Sequence, residues 1–444
     1  MKKLLLLAGL LSVVAASHSQ EVLLSGDEVL QRALEANTGL KISQAAFREA
    51  QGEFRQTHSL FLPEVTASHT GIVTTNPLMA FGSKLNQEIL TQADFNPALL
   101  NDPQRTENYA TLLEVRQPLI NIDGLFQRKA ARYKMEAAAL QAQRSRDYLS
   151  LQANAAYMNL QLAHKAVAVT QKALRAAEAN LRWAESNYRQ GYLQKQDLLE
   201  VQVRVSEVRN QWQQAQSQVA NSSDALAVLM DEPVSAVYVP RDSLIPQPAA
   251  PSSWSLSEER PDIRAMSLAA EAYSSAYRAD KTAFLPRLNA FGTYALYDDE
   301  LLRFGADGYT IGAELRWDLF GGHKRLGKVQ SSRAAMEKSQ LEQAQYYSES
   351  QRELQRAERA LDDARARLDL TRQALEQSAE ALRIRTNRFR EGLEKTADLL
   401  TAEANAAGKE MEYYQTIFEY NYALAYLKFL AAGNTAPNGE TLNP

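Results

Sequence analysis

Residues 354–389 read LQRAERALDDARARLDLTRQALEQSAEALRIRTNRF, and the spacing within them decides the fold. Leu354, Leu361, Leu368, Leu375, Leu382 and Phe389 stand seven apart, and Ala357, Ala364, Thr371 and Ser378 follow the first four at three residues. That is the seam of a long coiled helix. The same phase runs through Ala153, Leu160, Val167, Leu174, Leu181 and Tyr188, followed by Ala156, Ala163, Thr170, Ala177 and Ala184. Small residues at alternate seam positions let backbones approach closely, so each long helix is expected to sit tightly against neighbours in a sheath. An ordinary two-stranded coiled coil carries the same signature.

Working outward, the chain is written twice. Phe61-Leu62-Pro63 returns as Phe284-Leu285-Pro286, and Glu114-Val115-Arg116 with Leu119 returns as Glu314-Leu315-Arg316 with Leu319. Tyr188-Arg189-Gln190-Gly191, then Asp197-Leu198-Leu199, returns as Phe389-Arg390-Glu391-Gly392, then Asp398-Leu399-Leu400. The offsets are 223, 200 and 201, so the halves differ by 23 residues between the first two anchors. Repetition of this kind sets the architecture before any local reading does.

Each half reads helix, strand, strand, long helix, helix. The first repeat, 20–230, is expected to hold helices at 27–60, 121–190 and 195–230 and strands at 62–75 and 109–119. The second, 260–432, is expected to hold helices at 261–283, 322–391 and 396–432 and strands at 285–297 and 308–319. Between them, 231–259 carries Pro233, Pro240, Pro246, Pro248 and Pro251 with several serines and reads as an irregular connector. Pro261 suits a first helical position, where its missing N–H costs nothing. The tail, 433–444, reads as loose.

The strands have period two. Val65, Ala67, His69, Gly71 and Val73 alternate with Thr66, Ser68, Thr70 and Thr74; Tyr109, Thr111, Leu113 and Val115 alternate with Glu114 and Arg116. Leu288, Ala290, Gly292, Tyr294 and Leu296 form a third strand face, and Tyr309, Ile311, Ala313, Leu315 and Trp317 a fourth, alternating with Thr310, Glu314, Arg316 and Asp318. One face suits lipid and the other water. A soluble sandwich with one solvated face has the same alternation.

The first 19 residues, with Lys2 and Lys3 before an apolar run from Leu4 to Ala16, have the order of a secretory signal cleaved near Ala16 or a few residues later. That run is too short for a spanning helix, which needs roughly 18 to 20 uncharged residues. There is no cysteine, which excludes disulfides, thiolate metal sites and a lipid-modified N-terminal cysteine. With 49 basic and 53 acidic residues the net charge is −4, or −6 after loss of Lys2 and Lys3, so nucleic acid is not an expected partner.

Four strands cannot close a barrel, since membrane barrels start at about eight, and hydrocarbon does not tolerate an open sheet edge. The chain is therefore expected to oligomerise. A helix of roughly 70 residues spans about 105 Å at 1.5 Å per residue, longer than any bilayer is thick.

This duplicated pattern resembles the TolC family of outer-membrane efflux and secretion channels over essentially the whole mature chain. Its sharpest elements are Phe-Leu-Pro before the first strand of each half, Arg260-Pro261-Asp262-Ile263, and the twice-written Tyr/Phe-x-x-Gly-x5-Asp-Leu-Leu hairpin. The resemblance implies a mainly α fold with a small β part and a homotrimer. It implies a 12-stranded outer-membrane β-barrel continuous with a long periplasmic α-helical barrel. It further implies a passive exit duct gated at the periplasmic helix tips, serving a tripartite efflux pump or a type I secretion system. The implied partners are a periplasmic adaptor (membrane fusion) protein, an inner-membrane RND or ABC transporter, and outer-membrane lipid.

Residue roles follow from the same resemblance. Gln190, Gly191, Tyr192, Glu391, Gly392 and Leu393 would be adaptor-facing tips, and Asp398, with Asp197 nearby, would place carboxylates at the periplasmic entrance. Clustered carboxylates attract cations and resist anions. The local reading is that Gly191 and Gly392 stop helices in the left-handed conformation and that Asp197 and Asp398 complement helix dipoles. Where the family has a second entrance aspartate this chain has Thr401, and where it has a gate tyrosine and arginine this chain has Phe389 and Glu394. Phe389 cannot hydrogen-bond Asp197 and Glu394 cannot salt-bridge to it, so a looser latch is expected, with Lys395 as partial substitute. Glu114, Arg116, Glu314 and Arg316 are expected to line the lower barrel lumen, with a surface charge pair as the alternative. Tyr109, Tyr294, Tyr309 and Trp317 are candidate interfacial aromatics. The loop 76–108, with Phe81 and Asn96-Pro97, is expected to be external.

The main alternative is a periplasmic coiled-coil adaptor or scaffold without a pore, which would lack membrane-facing strand pairs. Catalysis is not expected. His18, His58, His69, His164 and His323 are scattered, with neither metal-ligand spacing nor a phosphate loop or nucleophile elbow, and no cofactor is implied.

Overall fold

A computed structural model describes residues 21–248 and 254–431; the expected signal segment and loose tail lie outside them. In chain order the elements are β1 (Glu21–Leu24), α1 (Gly26–Ala36), α2 (Thr38–Gln56), β2 (Glu64–Thr74), α3 (Pro77–Asn86), α4 (Pro97–Asn101), β3 (Thr106–Ile120), α5 (Ile122–Arg189), α6 (Lys195–Leu229), β4 (Val237–Pro240), α7 (Pro261–Thr282), β5 (Arg287–Asp298), β6 (Ala306–Arg316), α8 (Lys324–Arg390) and α9 (Thr396–Ala431). The chain divides into two compact units.

The first unit comprises residues 44–142 and 261–348 and is organised on an antiparallel sheet of order β2-β3-β5-β6. Glu64 stands opposite Arg116, Arg116 opposite Phe291, and Arg287 opposite Arg316. Residues directly opposite share a face. One face therefore carries Val65, Val115, Leu288, Ile311 and Leu315, and the other carries Glu64, Thr66, Glu114, Arg116, Asn289, Glu314 and Arg316. Val65, Val73, Tyr309, Ile311 and Leu315 are all exposed. β2 and β6 are the two edges, without a partner strand among the described residues.

The second unit comprises, among the described residues, 21–43, 143–248, 254–260 and 349–431. Its core follows the heptads. Leu354, Ala357, Leu361 and Ala364 of α8 are buried against Tyr420, Leu424, Leu427 and Leu430 of α9. Ala153, Leu160 and Ala163 of α5 are buried with Val219 and Leu226 of α6 and with Val29 and Ala33 of α1. Met158 and Leu162 of α5 meet Ile417 of α9, so the two helical pairs share a core. Arg260 is also buried there, its guanidinium donating to the Leu430 carbonyl at 3.0 Å and to Ser350 Oγ at 2.8 Å. A cation at the last carbonyls of α9 complements the helix dipole. Among the described residues no helix is long and apolar enough to cross a membrane.

Several segments differ from the sequence expectation. The helix expected over 27–60 is broken at Asn37, whose ψ of 122° leaves the helical region while its Oδ1 accepts from Leu40 N at 3.1 Å. It ends in a 3-10 turn, Thr57–Leu60. The connector 231–259 is not wholly irregular: β4 pairs in parallel with β1 and buries Tyr238. The segment 76–108 contains α3 and α4, each opened by an asparagine cap, Asn76 or Asn96, followed by proline. β3 begins at Thr106 rather than 109, and β6 ends at Arg316, so Trp317 lies just beyond the strand. Tyr188, in phase with the seam, is 39% exposed.

Candidate functional site: two hairpin tips and a charged strand face

The α5–α6 and α8–α9 turns are the same turn built twice. Gly191 and Gly392 have φ of +80° and +75°, the left-handed conformation that glycine adopts without a Cβ penalty. Tyr192 N donates to Asn187 O at 2.9 Å and Gly191 N to Tyr188 O at 3.0 Å; Leu393 N donates to Arg388 O at 2.9 Å and Gly392 N to Phe389 O at 3.0 Å. These bonds satisfy the last carbonyls of each long helix in a Schellman motif. Gln190 and Glu391 are exposed, and Tyr192 and Leu393 are 79% and 63% exposed. Asp197 and Asp398 lie in the first turns of α6 and α9, where the helix dipole favours a carboxylate. The local reading of both glycines and both aspartates therefore holds as geometry.

The side chains around the second tip differ from the expectation drawn from the resemblance. Phe389 is 6% exposed, its ring centroid 4.5 Å from that of Trp183 on α5. An apolar contact thus joins the two hairpins where a tyrosine was looked for. Glu394 accepts from Arg385 Nη1 at 3.2 Å and Arg388 Nε at 2.9 Å, a clamp within its own hairpin. Lys395 is exposed and has no ion-pair partner among the described residues, and Thr401 Oγ1 donates to the Ala397 carbonyl at 2.7 Å. Two turns into α9, Glu403 accepts from the Asn180 amide of α5, a second contact between the hairpins. Burial pushes the Glu403 carboxyl up, against Asn180 and Arg204, which favour its charged form. The Glu394 clamp and the Glu403 contact were missed in the sequence. Their only signal is arginine six and nine residues before Glu394 across a turn, and an asparagine whose partner is 223 residues away.

On the sheet, the register brings Glu114, Arg116, Glu314 and Arg316 onto one face. Arg116 pairs with Glu114 along its own strand. Tyr109, Tyr294 and Tyr309 share the opposite face. Residues 76–108 pack on themselves: Lys84 holds Asp94 at 2.8 Å and Phe81 meets Phe95 edge to face.

A family model described as outer membrane efflux protein matches residues 29–231 and 255–433. The chain belongs to the outer membrane efflux protein family. It is a channel component acting in efflux at the outer membrane, in a family of channels rather than enzymes. Solved structures agree in fold. A membrane protein from Pseudomonas aeruginosa superposes with TM-score 0.79 at 19% identity, covering 92% of this chain and 93% of that one. The Campylobacter jejuni CmeC outer membrane channel gives TM-score 0.79 at 15% identity over 94% and 87%. The Vibrio cholerae outer membrane protein VceC gives 0.77 at 19% over 92% and 96%. No curated protein matches the chain in sequence.

Proposed function

We propose that three copies of this chain close their sheets into one 12-stranded barrel and their helical hairpins into one hollow sheath. Solutes handed over by an inner-membrane pump would leave through it by passive conduction. The observation that carries the reading is the sheet: its exposed apolar face suits lipid, its charged face suits a water-filled lumen, and both edges are open. Because strand directions alternate from β2 to β6, placing one copy's β6 beside another's β2 continues the antiparallel order without a break. Exposed Val203, Leu341, Leu370 and Ile384 on the long helices are the kind of surface that neighbours cover.

In this reading Glu114, Arg116, Glu314 and Arg316 line the lumen, and Asp398, with Asp197, gives the entrance its cation preference. Phe389, Glu394, Lys395 and Thr401 surround the gate. Gln190, Gly191, Tyr192, Glu391, Gly392 and Leu393 present the adaptor-facing tips, where exposed Tyr192 and Leu393 offer apolar anchors. The first 19 residues direct export, and 76–108 lies outside the cell. The RND or ABC identity of the pump follows its adaptor, which crosslinking in cells would name. The test is assembly and conduction together: heat-modifiable trimer bands from an outer-membrane fraction, and ion conduction in planar lipid. A water-soluble monomer that conducts nothing would refute the reading.

A further inference from the structure

The internal duplication reaches the hydrogen bonds of the sheet. Offsets of 223 and 200 carry the pair Glu64 and Arg116 onto the pair Arg287 and Arg316, and every other rung of the β2–β3 hairpin onto the β5–β6 hairpin. The bond closing the base of each hairpin repeats with a different donor. Gln117 Nε2 donates to the Phe61 carbonyl at 2.7 Å, and Trp317 Nε1 to the Phe284 carbonyl at 2.9 Å.

The seam between the hairpins, β3 against β5, is also fully specified. Arg116 stands opposite Phe291 and Thr111 opposite Leu296. Below it, Asp123 in the first turn of α5 takes a two-pronged bond from Arg287, Nε at 3.1 Å and Nη2 at 2.5 Å, with the Asp123 side chain 4% exposed. A second seam of the same kind is missing among the described residues, because β6 and β2 are the two free edges.

We propose that β6 of one copy pairs with β2 of a second copy in the register of the β3–β5 seam, locked by Lys324 of the first bound to Glu64 of the second. The inference rests on the ring described above and adds its register and its lock. The same offsets place Arg316 opposite Ser68, Leu315 opposite His69, and Ile311 opposite Val73. This register also keeps the faces matched: it sets Ser68 on the charged face beside Arg316, and Val73 on the apolar face beside Ile311. A shift of one residue would put every side chain on the wrong face.

The lock rests on a separate observation, the charges at the hairpin bases. The residue after Phe-Leu-Pro is Arg287 in the second half and Glu64 in the first. Past the strands the offset rises to the 201 kept by the tip hairpins, and it carries Leu125 onto Leu326 and Asp123 of the first half onto Lys324 of the second. Both signs are inverted together, so the seam between copies would again join opposite charges. Glu64 and Lys324 are exposed and neither makes a salt bridge among the described residues; Glu64 stands across from Arg116, whose guanidinium is held mainly by Glu114. The structure thus supplies one acid and one base, each at the position where the other seam is bolted.

The chain has no cysteine, so introduced cysteines report cleanly. Membranes carrying the full-length variant Ile311→Cys with Val73→Cys should form covalent dimers and trimers on oxidation. The variant Tyr309→Cys with Val73→Cys, two residues out of register, should not. Glu64→Lys and Lys324→Glu should each lower the temperature at which SDS-resistant oligomers dissociate, and the two together should restore it. Oligomers that crosslink only out of register, or that the double exchange does not restore, overturn the proposed seam while leaving the ring standing. Absence of any oligomer from the unaltered chain refutes the ring itself. If a charge variant fails to assemble, the cysteine pairs still decide the register.

Discussion

Replacing Phe389 by alanine removes the ring that joins the second hairpin to Trp183 of the first. Truncating a buried phenylalanine costs about 3–5 kcal/mol when the site cannot collapse. Trp183 is only half-buried and the contact sits near a helix end, so the low figure, about 3 kcal/mol, is the appropriate one. At about 1.4 kcal/mol per decade, that shifts the balance between joined and parted hairpins by roughly 100-fold in each copy. The Phe389→Ala channel should therefore spend a far larger fraction of time open in planar lipid bilayers and admit bulky antibiotics to cells. Phe389→Leu, which keeps apolar bulk, should lie near the parent. The core formed by Leu361 and Leu424 lies well up the same pair of helices, so oligomer heat stability should barely move. An assembled Phe389→Ala channel with unchanged open fraction would refute an apolar latch at this site.

Two other perturbations address the charges near the tip. Asp398→Ala should reduce cation preference and weaken block by divalent cations, measured as reversal potential and single-channel current; unchanged values would remove Asp398 from the entrance. Glu403 has its carboxyl pushed up from the ordinary value of 4.5, so the folded state binds the extra proton between that value and the raised one. Folding stability near the tips is then greatest at low pH and falls as pH rises through the raised value. Glu403→Gln should flatten this dependence in amide exchange of the surrounding helices, and an unaltered pH profile would show that another group is responsible.

The seam was legible because leucine at every seventh residue, sustained over five turns of the pattern, rarely arises outside a coiled helix, and the same spacing located the second copy. The strand faces were legible for a similar reason: alternation fixes which residues travel together whatever the partner strand is. Legibility ended where one residue's conformation depends on a distant neighbour. Asn37 breaks the helix expected over 27–60, its amide reaching the Leu229 carbonyl at 3.0 Å, and nothing local announces that. Val237-Tyr238-Val239 is too short to stand out as a strand among prolines, and becomes one because β1 lies beside it. Tyr188 and Phe389 hold the same heptad position, yet one is exposed and the other buried; Trp183, not the heptad, makes the difference. The resemblance pointed to the α8–α9 tip but not to its contacts, since it directed attention to what Phe389 and Glu394 lack rather than to Trp183, Arg385 and Arg388.

The two tips share a backbone and little else, and this difference bears on how a ring of such chains would work. Both glycines terminate their helices in the same way, so the turn itself imposes no distinction between hairpins. The second hairpin has both its aromatic and its acid engaged: Phe389 is buried on Trp183 of the first hairpin, and Glu394 is held by two arginines of its own. The first leaves Tyr188 and Tyr192 exposed. Tyrosine combines a broad apolar face with a hydrogen-bonding hydroxyl, a combination favoured at protein interfaces. Around a ring the tips would then alternate between one committed to holding the hairpins together and one with aromatic surface to offer a partner. A partner docked on Tyr188 and Tyr192 would pull on α5, the helix that carries Trp183, and so reach the Phe389 contact without touching it.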